Sequence, residues 1–292
     1  MMENKGVILK GIGGFYYVQL EDRVLECRAG GRLRNADLTP VAGDLVELEV
    51  QGGQGYILSI SPRKNLLRRP PIANLDQLCI LASAAAPQTD PAWIDKQTVI
   101  ALRQGIKPLI LLSKSDLQRS DVLLQTYRSI GFDTVEISSA TGEGIDLVRE
   151  KLKGKITAFS GNSGIGKSSL LNSLLPQAGA EVGGLGRKVA RGKQTTRAVE
   201  LYPLPEGGYV ADTPGFSTFD ILRCDDLRKE DLADWFPEME PALGGCRFVG
   251  CAHVKEPNCA VKDLVAKGVV PASRYSSYCS LYEELSKRKD WE

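Results

Sequence analysis

The order of three short nucleotide-site motifs constrains the fold of this chain more than any other feature. Ser-Lys-Ser-Asp at 113–116 comes first, Gly-Asn-Ser-Gly-Ile-Gly-Lys-Ser at 161–168 follows, and Asp-Thr-Pro-Gly at 212–215 comes last. In the usual arrangement the phosphate loop comes first, D-x-x-G second and N-K-x-D third. The same parts are cyclically rotated here, which predicts a permuted domain that keeps its site but is joined to its neighbours at different points.

The phosphate-loop segment follows an apolar stretch at 156–159 and precedes a predicted helix with leucines on one face. Its glycines let backbone N–H groups turn toward phosphates, and the helix N-terminus adds a favourable dipole. We expect Lys167 to reach the β- and γ-phosphates and Ser168 to ligate Mg²⁺. The predicted phosphate-binding residues are Gly161, Asn162, Ser163, Gly164, Ile165, Gly166, Lys167, Ser168 and Ser169.

The D-x-x-G segment begins about 45 residues after the phosphate loop, at the end of a predicted strand. Asp212 is expected to hold Mg²⁺ through water, and the Gly215 N–H to bind the γ-phosphate. Phe216 occupies the next position, where many GTPases carry a catalytic glutamine. Because an apolar side chain cannot position water by hydrogen bonding, we expect slow intrinsic turnover.

The first motif follows a buried strand at 109–112, at the strand end where α/β sheets place ligands. The segment comprises Ser113, Lys114, Ser115 and Asp116. A carboxylate at Asp116 can accept from both N1–H and the 2-amino group of guanine, a donor pair that adenine lacks, so GTP is favoured over ATP. Ser139 and Ala140, which follow a later strand, are predicted to cradle the guanine carbonyl. The alternative is an ATPase, which nucleotide competition would distinguish.

The segment between Glu181 and Glu200 contains five basic residues and no acid. One interpretation is that GTP orders this segment and presents its charge to RNA phosphates; the other is a solvated basic loop. A threonine here is expected to ligate Mg²⁺, and we favour Thr196 over Thr195.

A second constellation, Cys246-x4-Cys251-x-His253-x5-Cys259, contains the one histidine of the chain. Four such ligands within 14 residues suit tetrahedral Zn²⁺. Because all four positions are filled by protein, the predicted role is structural.

Net charge, apolar runs and cysteine count indicate the compartment and the kinds of partner that we expect. The net charge is +1, so attraction to nucleic acid must come from local patches. The chain shows neither a signal-peptide pattern nor an apolar run near the ~18 residues of a membrane span, so we expect a cytoplasmic protein without membrane partners. Seven cysteines in that compartment indicate metal binding or free thiols.

Residues 1–66 show period-two alternation broken by glycine pairs, which predicts a small antiparallel barrel of OB or SH3-like type. The basic, proline-containing segment 63–71 is typical of a linker. Apolar strands and helices then alternate in the pattern of a parallel sheet covered on both faces. After about residue 222 the chain becomes helical and charged.

These motifs together resemble those of the RsgA family of circularly permuted GTPases. The segments that carry the resemblance are Pro62–Asn65, Asn74–Gln77, Gly161–Ser169, Arg191–Thr196, Asp212–Phe216 and Cys246–Val261. The resemblance implies an α/β class chain with an OB-fold RNA-binding barrel at 1–66, a permuted P-loop GTPase at 67–221 and a helical zinc domain at 222–292. Ser113 stands where the family usually has asparagine, and Gln194 where it usually has histidine.

The resemblance also implies an activity and partners. We expect GTP hydrolysis to GDP, stimulated by the small ribosomal subunit and acting in its late maturation. A monomer would bind GTP or GDP with Mg²⁺, one structural Zn²⁺ and the subunit's rRNA. Catalytic roles fall to Lys167, Thr196 and Gln194. The remaining alternative, a nonenzymatic RNA-binding protein, is disfavoured because Lys167, Ser168 and Asp212 are all present.

Overall fold

The computed structural model describes residues 4–34, 38–68, 70–175, 199–212 and 227–287. The predicted site residues Thr195, Thr196, Gln194, Gly215 and Phe216 lie outside these ranges, as does the basic segment that contains three of them. Asp212 is described as the last residue of a strand, without its side chain. Within the described ranges, no helix combines the length and apolar character needed to cross a membrane.

The N-terminal strands form a closed five-stranded barrel with neighbour order β1-β2-β3-β5-β4. The strands are β1 (Asn4–Ile12), β2 (Phe15–Gln19), β3 (Val24–Ala29), β4 (Leu45–Gln51) and β5 (Gln54–Ile60), with the short helix α1 (Gly31–Arg34) between β3 and β4. One parallel pair, β3 with β5, interrupts the antiparallel meander, and β1 with β4 closes it. This five-stranded closed order is the OB-fold, which decides between the two predicted barrels.

The segment predicted as a linker is a fixed joint. It contains the antiparallel strands β6 (Leu66–Arg68) and β7 (Pro71–Ala73). The Asn65 side chain accepts from the backbone N–H of Leu75 at 2.9 Å and donates to its carbonyl at 2.8 Å. The Asn74 side chain donates to the Gly43 carbonyl in the barrel at 2.9 Å. These hydrogen bonds from side chains to backbone fix the barrel to the next domain. The composition of the segment predicted a linker and did not indicate these bonds.

The central domain is a six-stranded sheet with neighbour order β10-β9-β8-β11-β13-β12. Its strands are β8 (Gln77–Ala82), β9 (Lys107–Leu112), β10 (Asp133–Glu136), β11 (Ile156–Ser160), β12 (Glu200–Pro203) and β13 (Tyr209–Asp212). All neighbours are parallel except β12 with β13. The carboxyl ends of β8, β9, β11 and β13 therefore meet at one edge of the sheet, where ligands bind in such folds.

Helices cover both faces of this sheet, as predicted. They are α2 (Pro91–Arg103), α3 (Asp121–Ser129), α4 (Ile145–Leu152) and α5 (Lys167–Leu174). One buried cluster joins one face of the sheet to α2 and α3, and another joins the opposite face to α4 and α5. The predicted start of α2 is confirmed, because Asp90 is the N-cap and its carboxylate accepts from the Ala92 N–H at 2.9 Å.

Over residues 227–287, the C-terminal region comprises two 3-10 helices and two α-helices. They are Lys229–Trp235, Pro237–Ala242, α6 (Ala260–Ala266) and α7 (Ala272–Ser286). Arg274 of α7 is fully buried, and its guanidinium pairs with Asp95 of α2 at 2.7 Å and with Glu238 at 2.6 Å. The Tyr127 hydroxyl donates to the same Asp95 carboxylate at 2.7 Å. This charged cluster joins the C-terminal region to the central domain.

The barrel also contacts the far edge of the central sheet. Lys10 of β1 and Glu200 of β12 form an ion pair of 2.7 Å that is mostly shielded from solvent. Glu200 is the first residue of β12, so the barrel lies against the strand that follows the predicted switch segment.

Candidate functional site

The phosphate-loop residues form a tight turn between β11 and α5. Gly164 and Gly166 have φ of +75° and +103°, a conformation that favours glycine. A Cβ on Gly161 would lie 2.9 Å from a side-chain carbon of Ile165 and 3.1 Å from that of Leu81, so glycine is needed for the loop to close on β8. Lys167 is the first residue of α5, and Ser168 and Ser169 follow in its exposed first turn. A turn ending in a helix N-terminus makes a site for phosphate.

Ser113 links the base-reading segment to this loop. Its hydroxyl donates to the backbone carbonyl of Ile165 at 2.7 Å and lies 3.1 Å from the carbonyl of Ala82. Both the serine and Ile165 are buried. The short side chain at this position therefore spans the gap between two segments that are about 50 residues apart in the chain.

Lys114 and Asp116 lie on the open side of the same segment. Lys114 has a positive φ of 61°, and its ammonium group donates to the Ala86 carbonyl at 2.6 Å. Asp116 is exposed. Pro87, beside Ala86, packs next to the phosphate loop, since a Cβ on Gly164 would lie 3.6 Å from its ring. The loop after β8 therefore borders both predicted parts of the site.

The segment predicted to cradle guanine lies directly beside Ser115. The Ser115 N–H donates to the Ile137 carbonyl at 3.2 Å. Ser138 is fully buried, and its hydroxyl accepts from the N–H groups of Ala140 and Thr141, both at 3.2 Å. This turn leaves Ser139 half-buried and Ala140 exposed. The structure thus brings together the segments 113–116, 138–140 and 161–169, which all follow carboxyl ends of parallel strands.

Two charged residues at this edge were not singled out from the sequence. One oxygen of Glu143 accepts from the Ser115 hydroxyl at 2.8 Å, and the other accepts from Arg119 at 2.8 Å. The hydrogen bond from Arg119, and then that from Ser115, holds the pKa of the Glu143 carboxyl below its usual value. Arg119 also lies 3.5 Å from Glu136. In the sequence, a glutamate and an arginine in polar turns look the same as charged residues on any solvent-exposed surface.

The predicted zinc ligands converge in the C-terminal region. The ligand atoms of Cys246, Cys251, His253 and Cys259 lie within 4.8 Å of one another. The His253 Nδ1 is 3.4 Å from the sulfurs of both Cys246 and Cys259, and those two sulfurs are 3.8 Å apart. Tetrahedral Zn²⁺ separates two sulfurs by about 3.8 Å, and sulfur from nitrogen by about 3.5 Å. The residues present therefore fit this ion.

Helix α7 is hydrogen-bonded to the loop that carries His253. The hydroxyls of Tyr275 and Tyr278 donate to the backbone carbonyls of His253 and Ala252, each at 2.8 Å. His253 has a positive φ of 58°, a conformation that is uncommon for residues other than glycine. These two hydrogen bonds connect the loop that carries the cysteine–histidine cluster to the packing of α7.

The fold and the motif positions together define a circularly permuted P-loop GTPase flanked by an OB-fold barrel and a cysteine–histidine cluster. A family model described as RsgA GTPase matches residues 60–222, and one described as RsgA N-terminal domain matches residues 5–57. The chain belongs to the RsgA GTPase family and is a GTP hydrolase.

Relatives match over nearly the whole chain. The small ribosomal subunit biogenesis GTPase RsgA of Caldanaerobacter subterraneus subsp. tengcongensis is 42% identical, over 98% of this chain and 97% of that protein. The protein of the same name from Alkaliphilus metalliredigens is also 42% identical, over 98% and 99%. Similarity therefore extends through all three regions rather than the nucleotide motifs alone.

Two solved structures have the same architecture. YjeQ from Thermotoga maritima superposes with a TM-score of 0.85 at 33% identity, covering 99% of this chain and 100% of that one. YloQ, described as a circularly permuted GTPase, gives 0.82 at 34% identity, covering 99% and 96%. The permutation predicted from motif order is therefore confirmed at the level of the fold.

Proposed function

We propose that this protein is a GTPase that binds the small ribosomal subunit through its rRNA, acts in late maturation of that subunit and is stimulated by it. The observation that carries the proposal is the convergence of three nucleotide segments at one sheet edge of a domain whose two ends are joined to a barrel and a cysteine–histidine cluster. The names of the relatives at 42% identity point to the same subunit.

In this proposal Asp116 reads guanine, and Ser139 and Ala140 cradle its carbonyl. Lys167 and the loop N–H groups hold the phosphates. Mg²⁺ would be held by Ser168 and Thr196 directly and by Asp212 through water, and it would neutralise charge on the β- and γ-phosphates. Support comes from placement: Ser168 is in the first turn of α5, and β13 ends at Asp212 beside β11. Oxygen ligands of this kind suit a hard cation.

The barrel offers a surface suited to RNA. Phe15 and Tyr17 of β2 alternate with inward-facing Val18, so they lie on the outer face. The Arg28 guanidinium lies 4.7 Å from the Phe15 ring centre, and the Lys10 ammonium 5.2 Å from that of Tyr17. On this face of an OB-fold, the Phe15 ring can stack a base and the Arg28 guanidinium can pair a phosphate, whereas Lys10 is already paired with Glu200. We infer that this face contributes to rRNA binding.

The domain boundaries follow from the same proposal. The barrel would act as one unit over 1–66, the GTPase over 67–221 and the zinc region over 222–292. Because the last unit begins just after the D-x-x-G segment, γ-phosphate binding would bias its placement. We expect the protein to act in the cytoplasm as a monomer.

The central test is GTP hydrolysis by the full chain with and without purified small subunits, in the presence of Mg²⁺. We expect a slow rate alone and a strong increase with subunits, with ATP a poor competitor. Cosedimentation at fixed salt should give tighter binding with a nonhydrolysable GTP analogue than with GDP. Equal rates with and without subunits, or equal affinity in both nucleotide states, would contradict the proposal.

A substitution tests base reading separately. Asp116→Asn exchanges an acceptor for a donor, so it should transfer preference from GTP to XTP, whose base offers the complementary pattern. A variant that keeps its GTP preference and ignores XTP would show that Asp116 does not contact the base.

A further inference from the structure

We propose that Glu143 is a positioning residue for guanine recognition, acting by fixing the short loop that carries Asp116. This inference rests on the proposed assignment of Asp116 to the base. Its starting point is that one carboxylate binds two residues, Ser115 and Arg119, that stand on either side of Asp116 in the chain.

The bonds close a ring around the base-reading residue. The loop turns back on itself, since the Lys114 carbonyl accepts from the N–H groups of Leu117 and Gln118 at 3.0 and 3.1 Å. Arg119 then reaches one oxygen of Glu143, while the other accepts from Ser115. Asp116 is exposed and lies between these two anchors, so the ring limits how far its backbone can move.

Glu143 also ties this loop to the guanine cradle. Its backbone carbonyl accepts from the Ser138 N–H at 3.0 Å, within the turn that carries Ser139 and Ala140. One residue therefore bonds to one base-site segment by its side chain and to the other by its backbone. Reading a base requires groups from both segments at a fixed separation, and preorganising them reduces the ordering cost of binding.

The charges around Glu143 explain why its carboxylate binds Arg119 as well as Ser115. Glu143 and Asp116 are both acidic and close enough that Asp116 opposes ionisation of Glu143. Arg119 counters this repulsion, with Glu136 as a second acidic neighbour at 3.5 Å. Without Arg119, the Glu143 side chain would hold this loop through Ser115 alone.

The test uses the full-length protein, a fluorescent GDP analogue and steady-state GTP hydrolysis. Glu143→Ala should weaken GDP and GTP binding by roughly fivefold to tenfold, the size expected when an exposed charge-assisted network is removed. The KM for GTP should rise equally while the kcat at saturation stays within about twofold. Inhibition by tripolyphosphate, which has no base, should not change.

Matched variants separate positioning from general damage. Glu150→Ala removes the same side chain from an exposed position on α4 and should leave affinity unchanged. Arg119→Met keeps the glutamate but removes its counter-charge and should reproduce the effect on KM. If Glu143→Ala lowers the melting temperature, its nucleotide affinity no longer reports positioning alone. Arg119→Met and Glu143→Gln then take its place in the comparison with Glu150→Ala. Glu143→Gln is conservative because it preserves an acceptor for Ser115.

A double-mutant cycle decides whether the effect passes through Asp116. Glu143→Ala in an Asp116→Ala background should add little further loss of GDP affinity. Full additivity, or unchanged affinity in both Glu143→Ala and Arg119→Met, would overturn the inference. Asp116→Ala measured alone tests the assignment beneath it: if that variant binds GDP normally, the proposed base site itself fails.

Discussion

The Ser113 hydroxyl and the Ile165 carbonyl are joined by a hydrogen bond of 2.7 Å that connects the base-reading segment to the phosphate loop. Both ends are buried, so the bond is shielded from competition with water. Serine stands here at the first position of the N-K-x-D pattern, where the pattern has a longer amide, and the phosphate loop comes close enough for a hydroxyl to reach it. The bond therefore fixes the position of segment 113–116 relative to the predicted phosphate loop.

Ser113→Ala should loosen this connection. It leaves the Ile165 carbonyl without this donor, which should lower the free energy of unfolding by about 1 kcal/mol and weaken GDP binding roughly fivefold. Calorimetry and GDP titration measure the two effects. Ser280→Ala, which removes an exposed hydroxyl bonded to the Ser276 carbonyl within α7, is the control and should change both by little. Normal GDP affinity in Ser113→Ala would show that the bond is dispensable.

Lys167→Ala and Ser168→Ala should each reduce hydrolysis by about a hundredfold or more, because they remove charge stabilisation from the transferred phosphoryl group and its metal. Neither side chain belongs to a buried cluster, so the melting temperature without nucleotide should change little. Single-turnover hydrolysis across a Mg²⁺ titration measures the effect. Near-normal turnover with intact Mg²⁺ dependence would contradict the assignment.

Gln194→Ala should lower subunit-stimulated hydrolysis far more than it lowers GTP binding. The reason comes from the sequence, because Phe216 leaves the D-x-x-G segment without a polar side chain to position water. Stimulated rates and GTP affinity are measured on the same preparation. An unchanged stimulated rate would transfer the water-positioning role to the subunit or to backbone groups.

Loss of zinc should unfold the C-terminal region first. Fresh protein should contain one zinc per chain by elemental analysis, and Cys259→Ser should abolish it and remove hydrogen-exchange protection over residues 227–287, because metal binding there supplies folding energy. Cys279→Ser is the matched control, since Cys279 belongs to α7 but not to the cluster. If hydrogen-exchange protection survives in a zinc-free Cys259→Ser variant, the C-terminal region does not need zinc in order to fold.

Arg274→Met should destabilise the protein by about 3–5 kcal/mol, because it leaves Asp95 and Glu238 as buried carboxylates without a cation. Urea unfolding followed by tryptophan fluorescence reports the loss. Lys287→Met breaks a pair with Glu283 in which both side chains are more than 70% exposed, and it should cost well under 1 kcal/mol. Equal stability of the two variants would show that the buried cluster does not hold the domains together.

Local patterns predicted much of this fold. Alternating apolar residues predicted the barrel, and the Asp90-Pro91 pair predicted where α2 begins, because both signals arise from neighbouring residues. Helix α3 was not predicted: it is short, mainly polar on its surface, and of its residues Tyr127 is the fully buried one. The order and spacing of the motifs likewise predicted which segments would lie together at one edge of the sheet.

Long-range polar contacts could not be predicted in the same way. In the sequence, Arg274 looks like a charged residue on a solvent-exposed helix. Its buried partner Asp95 lies 179 residues away in the chain, so no local pattern indicates the pair. The joint at Asn65 and Asn74 depends on side chains bonding to backbone across a fold that must already exist. Glu143 gave no signal for the same reason. Such contacts follow from topology, and topology is not visible in local periodicity.

The contact between Lys10 and Glu200 also places the barrel over an edge of the central sheet. Among the described strands β12 is an outer strand of the central sheet, and an outer strand exposes hydrogen-bonding groups that can recruit a second chain. The barrel covers this margin with β1 and places a lysine against it. A GTPase fragment lacking residues 1–66 would therefore present a bare strand and be prone to aggregate. Point variants on the barrel surface are for this reason better probes of subunit binding than deletion of the barrel.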